Sequence, residues 1–427
     1  MLAPWMYNQD GGLVSLMKCK PLAGQFGLWL GTVALCALAM SAFGQTQMQG
    51  GGGPIRIFNT DMAVMEMQEV RKDLPCTVTP ARANLGFDLK FHAGYEVTIP
   101  LRELAGSENL LTILFRVISE TRKDEPYYFM QRVRVPSIEE EAKGEAYLQG
   151  SFDIGEGKYH IDWLMRDRSE RVCSFYWDSE AQLSQKDKPM SLVIPPHIAR
   201  ASEWEQFKEE PPVERNDADG NLNVKVLVNF APQNSRSATL QPMDTSALVS
   251  MLRTISRDPR IHKFTLVAFN LQEQRIVYRQ EEGDRIDFPK LGESLESLRL
   301  GTVDLKRLAV KSGETEFLTE LIAKETGSEK QPDALIIAGP KAMLESNIPA
   351  ETLKEVGDPN FPIFYLNYNL NPQSVPWRDA IGHAVKFLKG HEFTISRPRD
   401  LWFAVSEIVS RVVKTKQVKQ LQAASGN

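Results

Sequence analysis

Cysteine is scarce in this chain of 427 residues, with 4 in all, and no two of them form a C-x-x-C pair. That removes the spacing signature of zinc ribbons and dithiol redox sites. Histidine is equally thin at 6, at positions 92, 160, 197, 262, 383 and 391, and no H-E-x-x-H occurs. There is also no G-x-S-x-G elbow and no G-x-x-x-x-G-K-[ST] loop, so the motif-borne hydrolase, zinc-peptidase and nucleotide-binding chemistries are unsupported. An excess of positive charge is missing too: 50 Lys and Arg face 55 Asp and Glu, a net charge of -5 with a pI near 5.9. Nothing electrostatic points to nucleic acid. What is present is 42% hydrophobic and 25% charged sequence, the balance of ordinary globular domains, and a length that suits two or three of them.

The apolar run Phe26 to Phe43 follows Lys18 and Lys20 and ends in Ala42-Phe43-Gly44, small residues of the kind a signal peptidase reads. Residues 1–44 are therefore expected to be a signal peptide, with cleavage before Gln45 and an exported, periplasmic or secreted product. The alternative is retention as an anchor, since the run approaches the roughly 18 residues that span a bilayer. Leu35 before Cys36 stands where lipidation needs a small residue, which argues against a lipoprotein. Export would leave Cys76 and Cys173 as the only cysteines. They are either a disulfide or two separate buried thiols.

After a Gly-rich segment at 45–54, expected to be flexible, residues 55–183 alternate with period two. Strands are expected at Gly94–Leu101, Leu110–Val117, Tyr127–Val135, Tyr147–Ile154, Lys158–Asp167 and Val172–Trp177, with turn residues between them. Many short strands without a long amphipathic helix predict an antiparallel β-sandwich. The G-x-Y at Gly157-Lys158-Tyr159, the alternation through Trp163, the Arg-Asp turn near Arg168 and a final strand resemble the closing strands of bacterial immunoglobulin-like domains. Tyr159, Trp163 and Trp177 are expected in the core.

Residues 184–222, with Pro195-Pro196 and Pro211-Pro212, read as a linker. From 223 to 415 near-continuous apolar strands alternate with helices, which predicts a mostly parallel sheet covered on both faces. The strands are Val224–Phe230, Phe264–Asn270 with Arg275–Arg279 as its hairpin partner, Ala334–Ala338 and Phe361–Tyr368. Helices are expected from Asp244, over Phe317–Glu325, over Ala380–Leu388 and from Arg399 to Val413, and residues 416–427 read as a disordered tail.

This order, closing on Lys389-Gly390, a short strand and Asp400-Leu401, resembles a von Willebrand factor A domain and the A-domain-related exported proteins of acidobacteria. The resemblance implies an α/β three-layer, Rossmann-like fold. It also implies a first strand ending in D-x-S-x-S, whose carboxylate and hydroxyls hold a divalent cation at the strand's C-terminal edge. Here those positions are Asn229, Ala231 and Gln233, and the aspartate expected after the fourth strand is replaced near Ala338-Gly339-Pro340. Thr315, in Ser312-Gly313-Glu314-Thr315, is the one ligand position that matches, and it reads better as a helix N-cap, without the capping box because Leu318 follows. No metal, cofactor or catalytic residue is therefore expected.

The expectation is a multidomain chain: an immunoglobulin-like antiparallel sandwich, then a degenerate A-like α/β domain that binds protein without metal. Loops at strand C-termini of open α/β sheets collect ligands, so Asn229, Thr315 and Tyr368 mark the edge expected to meet a protein partner. Nucleic acid is not expected, and a membrane only through a retained N-terminal segment. An enzyme with dispersed residues and a structural part of a cell-envelope assembly are the rival readings.

Overall fold

A computed structural model describes residues 6–7, 13–14, 46–48, 57–202, 206–215, 221–233, 237, 240–299, 313–327, 330–344, 348–357, 359–370 and 378–425. The chain divides into two compact units between Glu205 and Gln206. The expected signal peptide lies outside the described residues except for two short paired strands, β1 (Met6–Tyr7) and β2 (Leu13–Val14). No helix among the described residues is long and apolar enough to cross a membrane.

The first unit is two antiparallel sheets. Strands β3 (Thr46–Met48), β6 (Asn109–Ser119), β7 (Arg122–Val135), β9 (Gly157–Arg166) and β10 (Val172–Ala181) form a five-stranded sheet in the order β10-β9-β6-β7-β3. Strands β4 (Thr77–Leu85), β5 (Phe91–Pro100), β8 (Glu145–Ile154) and β11 (Ala199–Ala201) form a four-stranded sheet in the order β11-β8-β5-β4. Alternation makes the core: Phe91, Ala93, Tyr95, Val97 and Ile99 of β5 are buried, as are Ile113, Phe115 and Val117 of β6 and Tyr159, Ile161 and Trp163 of β9. Tyr95 meets Trp163 and Phe115 edge-on at 5.4 and 5.6 Å, and Phe115 stacks on Phe129 at 5.0 Å. Each such ring contributes about 1.5–3 kcal/mol by leaving water. Trp177 is half-buried beside Tyr95.

Helix α1 (Asn59–Met67) lies ahead of the sandwich, and its Val64 and Met65 cover Leu114, Leu164 and Val172 on the outer face of the five-stranded sheet. Arg166 lies over the Phe58 ring and pairs with Asp61 at 3.5 Å. The chain then runs beside β10, with Lys72 bridging to Cys173, and Cys76 and Cys173 are joined in a disulfide with Cα atoms 6.3 Å apart. Cys76 leads into β4 of one sheet and Cys173 belongs to β10 of the other, so the bond ties the two sheets at an edge.

Three segments differ from expectation. Residues 184–222 are not a free linker: Met190, Ile194 and Ala199 are buried, and β11 pairs with β8. Beyond Glu205, Glu210 binds Arg253 and Arg257 at 2.7 Å each, and Arg215 donates to the carbonyls of Ser256 and Asp258. The prolines stop periodic structure without stopping packing. Of the expected disordered tail at 416–427, the described residues belong to the last helix, which runs to Ser425 because nothing from Arg399 on breaks it and Lys, Gln, Leu and Ala favour helix. Lys416 fastens it to Asn221 O and Asp333, each at 2.7 Å. Within 45–54, Thr46–Met48 is not loose but pairs antiparallel with Tyr128–Met130 as β3.

The second unit is one mixed six-stranded sheet with helices. In chain order it contains β12 (Leu222–Asn229), α2 (Pro242–Ser256), β13 (Ile261–Asn270), β14 (Arg275–Gly283) and α3 (Phe288–Arg299). Then follow α4 (Gly313–Thr326), β15 (Ala334–Pro340), α5 (Ala350–Val356), β16 (Ile363–Tyr368), α6 (Ala380–Phe387), β17 (His391–Ile395) and α7 (Pro398–Ser425). The order is β14-β13-β12-β15-β16-β17, all parallel except β14, which turns back on β13. Leu227, Val267, Ile337 and Tyr365 pack on one face with Leu318 and Leu321 of α4, Leu353 of α5 and Ile381 of α6. The residues between them point to the other face. One charged side chain breaks the apolar run of β12: Lys225 is buried and pairs with Glu325 at 3.2 Å, which also binds Arg279.

Candidate functional site

Parallel strands deliver their chain exits to one edge. Between β12 and β15 the exits diverge: β12 leads to α2, whereas β15 leads to α5 on the face shared with Leu227 and Ile337. Such a divergence opens a crevice in an α/β sheet. Several polar side chains near it are turned inward.

Asn229, Thr315 and Tyr368 are only 1%, 6% and 1% exposed. Asn229 ends β12, and its Oδ1 accepts the Leu271 N–H at 3.1 Å. Gly339 closes over it with φ at +154°, where a Cβ would stand 2.8 Å from the Asn229 Cβ. Tyr368 ends β16, and its hydroxyl donates to Asp244 at 3.1 Å and toward Ala231 O at 3.4 Å. Asp244 lies in the first turn of α2, so Tyr368 faces the α2 layer while Asn229, in step with Leu227, faces the opposite one. The three residues thus do not converge on one point. Thr315 is not an N-cap, because α4 already begins at Gly313, and its carbonyl accepts the Thr319 hydroxyl at 2.6 Å.

Gln233 completes the closure, donating to Asn369 Oδ1 and accepting from Leu370 N–H, both at 3.0 Å. Ala231 is buried and brings no side-chain oxygen. Burial raises the Asp244 carboxyl above its usual value, although the Gln241 N–H, the Tyr368 hydroxyl and the Gln233 N–H pull it back. Burial and Asp244 together hold the Tyr368 phenol well above the ordinary range. The edge is therefore a lattice of internal hydrogen bonds built around one buried carboxyl. Two apolar side chains stand exposed near it: Met243 at the start of α2 is 66% exposed, and Met343 just past β15 is 44% exposed.

A second polar group, absent from the sequence reading, lies where β15, β16 and β17 end. Asp379 precedes α6, and its Oδ1 accepts the Ala342 N–H at 3.1 Å. Glu392 on β17 accepts from Asn367 Nδ2 at 2.6 Å and lies 3.5 Å from Lys341 Nζ. Tyr365, wholly buried, donates to Pro340 O at 3.1 Å. Burial raises the Asp379 carboxyl; the Ala342 and Gly382 N–H groups oppose this, Glu392 adds to it and Lys341 subtracts. The sequence held partial signals for this group: an Asp one residue before a helix, and Tyr365, Asn367 and Glu392 in neighbouring registers of adjacent strands.

Among the described residues, no three of His, Cys, Asp and Glu come together as a metal site. His383 and His391, close in sequence, are both exposed, on α6 and β17. In the first unit His92 bridges Asp88 at 3.0 Å and Asp153 at 2.8 Å, and Asp153 also accepts from Ser202 at 2.7 Å. Burial would lower His92, but the two carboxylates outweigh it and lift the imidazole to about 10, so it is a cation at neutral pH and no base. Ser202 donates to the carboxylate, not to the histidine, which leaves no activated nucleophile there.

No family model matches the chain, and no curated protein matches it either. Among solved structures it is similar to the PilB minor pilin from Streptococcus sanguinis, at 9% identity and a TM-score of 0.25, over 73% of this chain and 88% of that one. It is also similar to a Bacteroides uniformis beta-glucuronidase, at 10% identity and a TM-score of 0.18, over 74% of this chain and 38% of that one. Superpositions this loose define no shared fold.

Proposed function

We propose that this is an exported, non-catalytic protein-interaction module, in which an immunoglobulin-like sandwich accompanies an A-like α/β domain whose metal-binding edge has been replaced. For the sandwich, the support is the Tyr159 hydroxyl bonded to Gly155 O at 2.9 Å across the corner between β8 and β9, the tyrosine corner of immunoglobulin-like domains. For the α/β unit it is the strand order, which numbered within the unit reads 3-2-1-4-5-6, the doubly wound order, with its third strand reversed.

The observation that carries the function is the contrast at the switch-point edge. Asn229, Gln233 and Tyr368 make their side-chain hydrogen bonds inside the fold, which favours a partner met through apolar contact. Met243 and Met343 stand outside, flexible apolar side chains of the sort that adapt to a protein surface. The test is capture of envelope proteins on the immobilised full chain, beside M243D and M343D. A specific partner held by the parent and lost from both variants supports the reading. A partner held equally by all three overturns it, as does capture of none.

A further inference from the structure

We infer that the outer edge of β10 takes up an extended segment of a partner protein as an added strand, one that alternates apolar residues with Lys or Arg. An open strand edge is a template for pairing, and folded proteins guard it with short strands, prolines, bulges or covering segments. Most edges here are guarded. β11 has 3 residues and β17 has 5, β4 contains Pro80 and an irregular register, β14 meets β13 with register shifts, and β3 lies along β7, which contains Pro126. β10 differs: Val172–Ala181 keeps an unbroken register with β9 and contains neither proline nor glycine. Only its start is covered. The Ser174 N–H donates to Arg71 O at 2.9 Å, and the Val172 carbonyl accepts the Leu74 N–H at 3.1 Å. Backbone direction alternates along a strand, so the groups of Tyr176, Asp178 and Glu180 turn the same way, and among the described residues no strand pairs with them on that side.

The side chains along this edge fix what it pairs with. Phe175 and Trp177 alternate in step with Cys173 toward the space between the sheets; their rings are 6.1 Å apart and half-buried, and Trp177 reaches the buried Tyr95 ring at 6.4 Å. Apolar side chains of an added strand would cover what those rings leave open. On the other face the Asp178 side chain is 86% exposed and meets His160 of β9 at 2.7 Å, and Glu180 beyond it is exposed. Opposite charges across a strand pair stabilise it, and like charges directly opposite destabilise it. A second copy of β10 pairing antiparallel about Asp178 or Ser179 would set carboxylate against carboxylate, whereas Lys or Arg at alternate positions of a foreign strand would meet both acids. The surface belongs to the first unit and involves neither Met243 nor Met343, so it does not rest on the reading of the switch-point edge.

The test is fluorescence anisotropy of a labelled, alternating Lys-Val peptide on the full chain. Beside it stand a Glu-Val peptide and a fully N-methylated Lys-Val peptide, which keeps its charge but donates no backbone hydrogen bond. In the chain, D178P removes an outward N–H without touching the β9 ladder, since proline is tolerated where an edge N–H faces solvent, and D178K/E180K reverses the charge. Circular dichroism checks that both variants fold; should D178P not fold, the N-methylated peptide and D178K/E180K carry the test. Saturable binding of the Lys-Val peptide by the parent, weakened at least about tenfold by D178P, by N-methylation and by the exchange of Lys for Glu, is the expected result, and D178K/E180K should prefer the Glu-Val peptide. No saturable binding by the parent, equal binding of the N-methylated peptide, or an unchanged preference in D178K/E180K overturns the proposal. A dimer of the parent in sedimentation that D178P abolishes also overturns it, by giving the edge to a second copy. M243D and M343D should bind the peptide as the parent does, so this edge and the capture of envelope proteins fail or succeed independently.

Discussion

The bond between Cys76 and Cys173 is the covalent link between the two sheets of the first unit, and removing it makes a sharp test of how that unit is held. It closes a loop with a sequence separation of 97 residues. In the chain-entropy account, a loop of that length is worth about 4.7 kcal/mol, and native disulfides in small domains give about 2–5 kcal/mol in practice. Unfolding a domain of roughly 140 residues gains about 0.3 kcal/mol per kelvin of entropy, so the loss lowers its Tm by about 7 to 16 °C. The second unit is an internal control, because all 4 cysteines precede Gln206. The assay is scanning calorimetry of the full chain, oxidised, reduced, and as the C76S/C173S double variant. One transition should shift under reduction and in the double variant alike, while the other stays in place. If reductant moves neither transition, or moves both equally, the assignment of this bond as a local tie between the sheets fails.

His92 gives a pH prediction with a definite sign. Its folded value of about 10 stands above the unfolded 6.5, so its contribution to stability is complete below pH 6.5 and disappears as pH rises through about 10. Denaturant melts of the first unit should show that alkaline loss in the parent, and H92Q should flatten it. Lys225 is buried against Glu325, so K225M leaves a buried carboxylate short of a partner and should cost about 3–5 kcal/mol in urea unfolding of the second unit. Pairing K225M with E325L should recover most of that, and a double variant as unstable as the single one would contradict the ion-pair account. G339A forces a side chain onto a backbone with φ at +154° and against the Asn229 Cβ, which should cost about 1–3 kcal/mol in the same urea assay. A neutral result would mean that the close approach of β12 and β15 at their ends is not rigid.

The parts of this fold legible in the sequence are those in which one physical rule decides the outcome. Apart from Lys225, Val224 to Val228 and Ala334 to Ala338 are apolar on both faces because both faces are covered, and each lies in a central strand. The inward set of β5 and β9 alternates because only one face is covered by the other sheet. Where two rules compete, reading failed. Strand β4 contains Pro80 and an irregular register between Ala81 and Asn84, so its sequence looks like a loop although it is a paired edge, and those same features discourage pairing with another chain. Residues 184–201 carry prolines that argue for a linker, yet their burial comes from contacts such as Gly155 under Pro195, which no local pattern encodes.

The candidate site was half legible for the same reason. That Asn229, Ala231 and Gln233 lack the carboxylate and hydroxyls of a D-x-S-x-S strand end is read from the sequence alone, but what those residues do instead depends on partners 42 and 136 positions away, Leu271 and Asn369. The expectation that Asn229, Thr315 and Tyr368 form one contact surface overlooked the alternation of parallel strands, which sends Asn229 and Tyr368 to opposite faces. Applied to neighbouring strands, that rule puts Tyr365 beside Glu392 in register, and with Asp379 at the head of the next helix it gathers the second polar group on one side of the sheet.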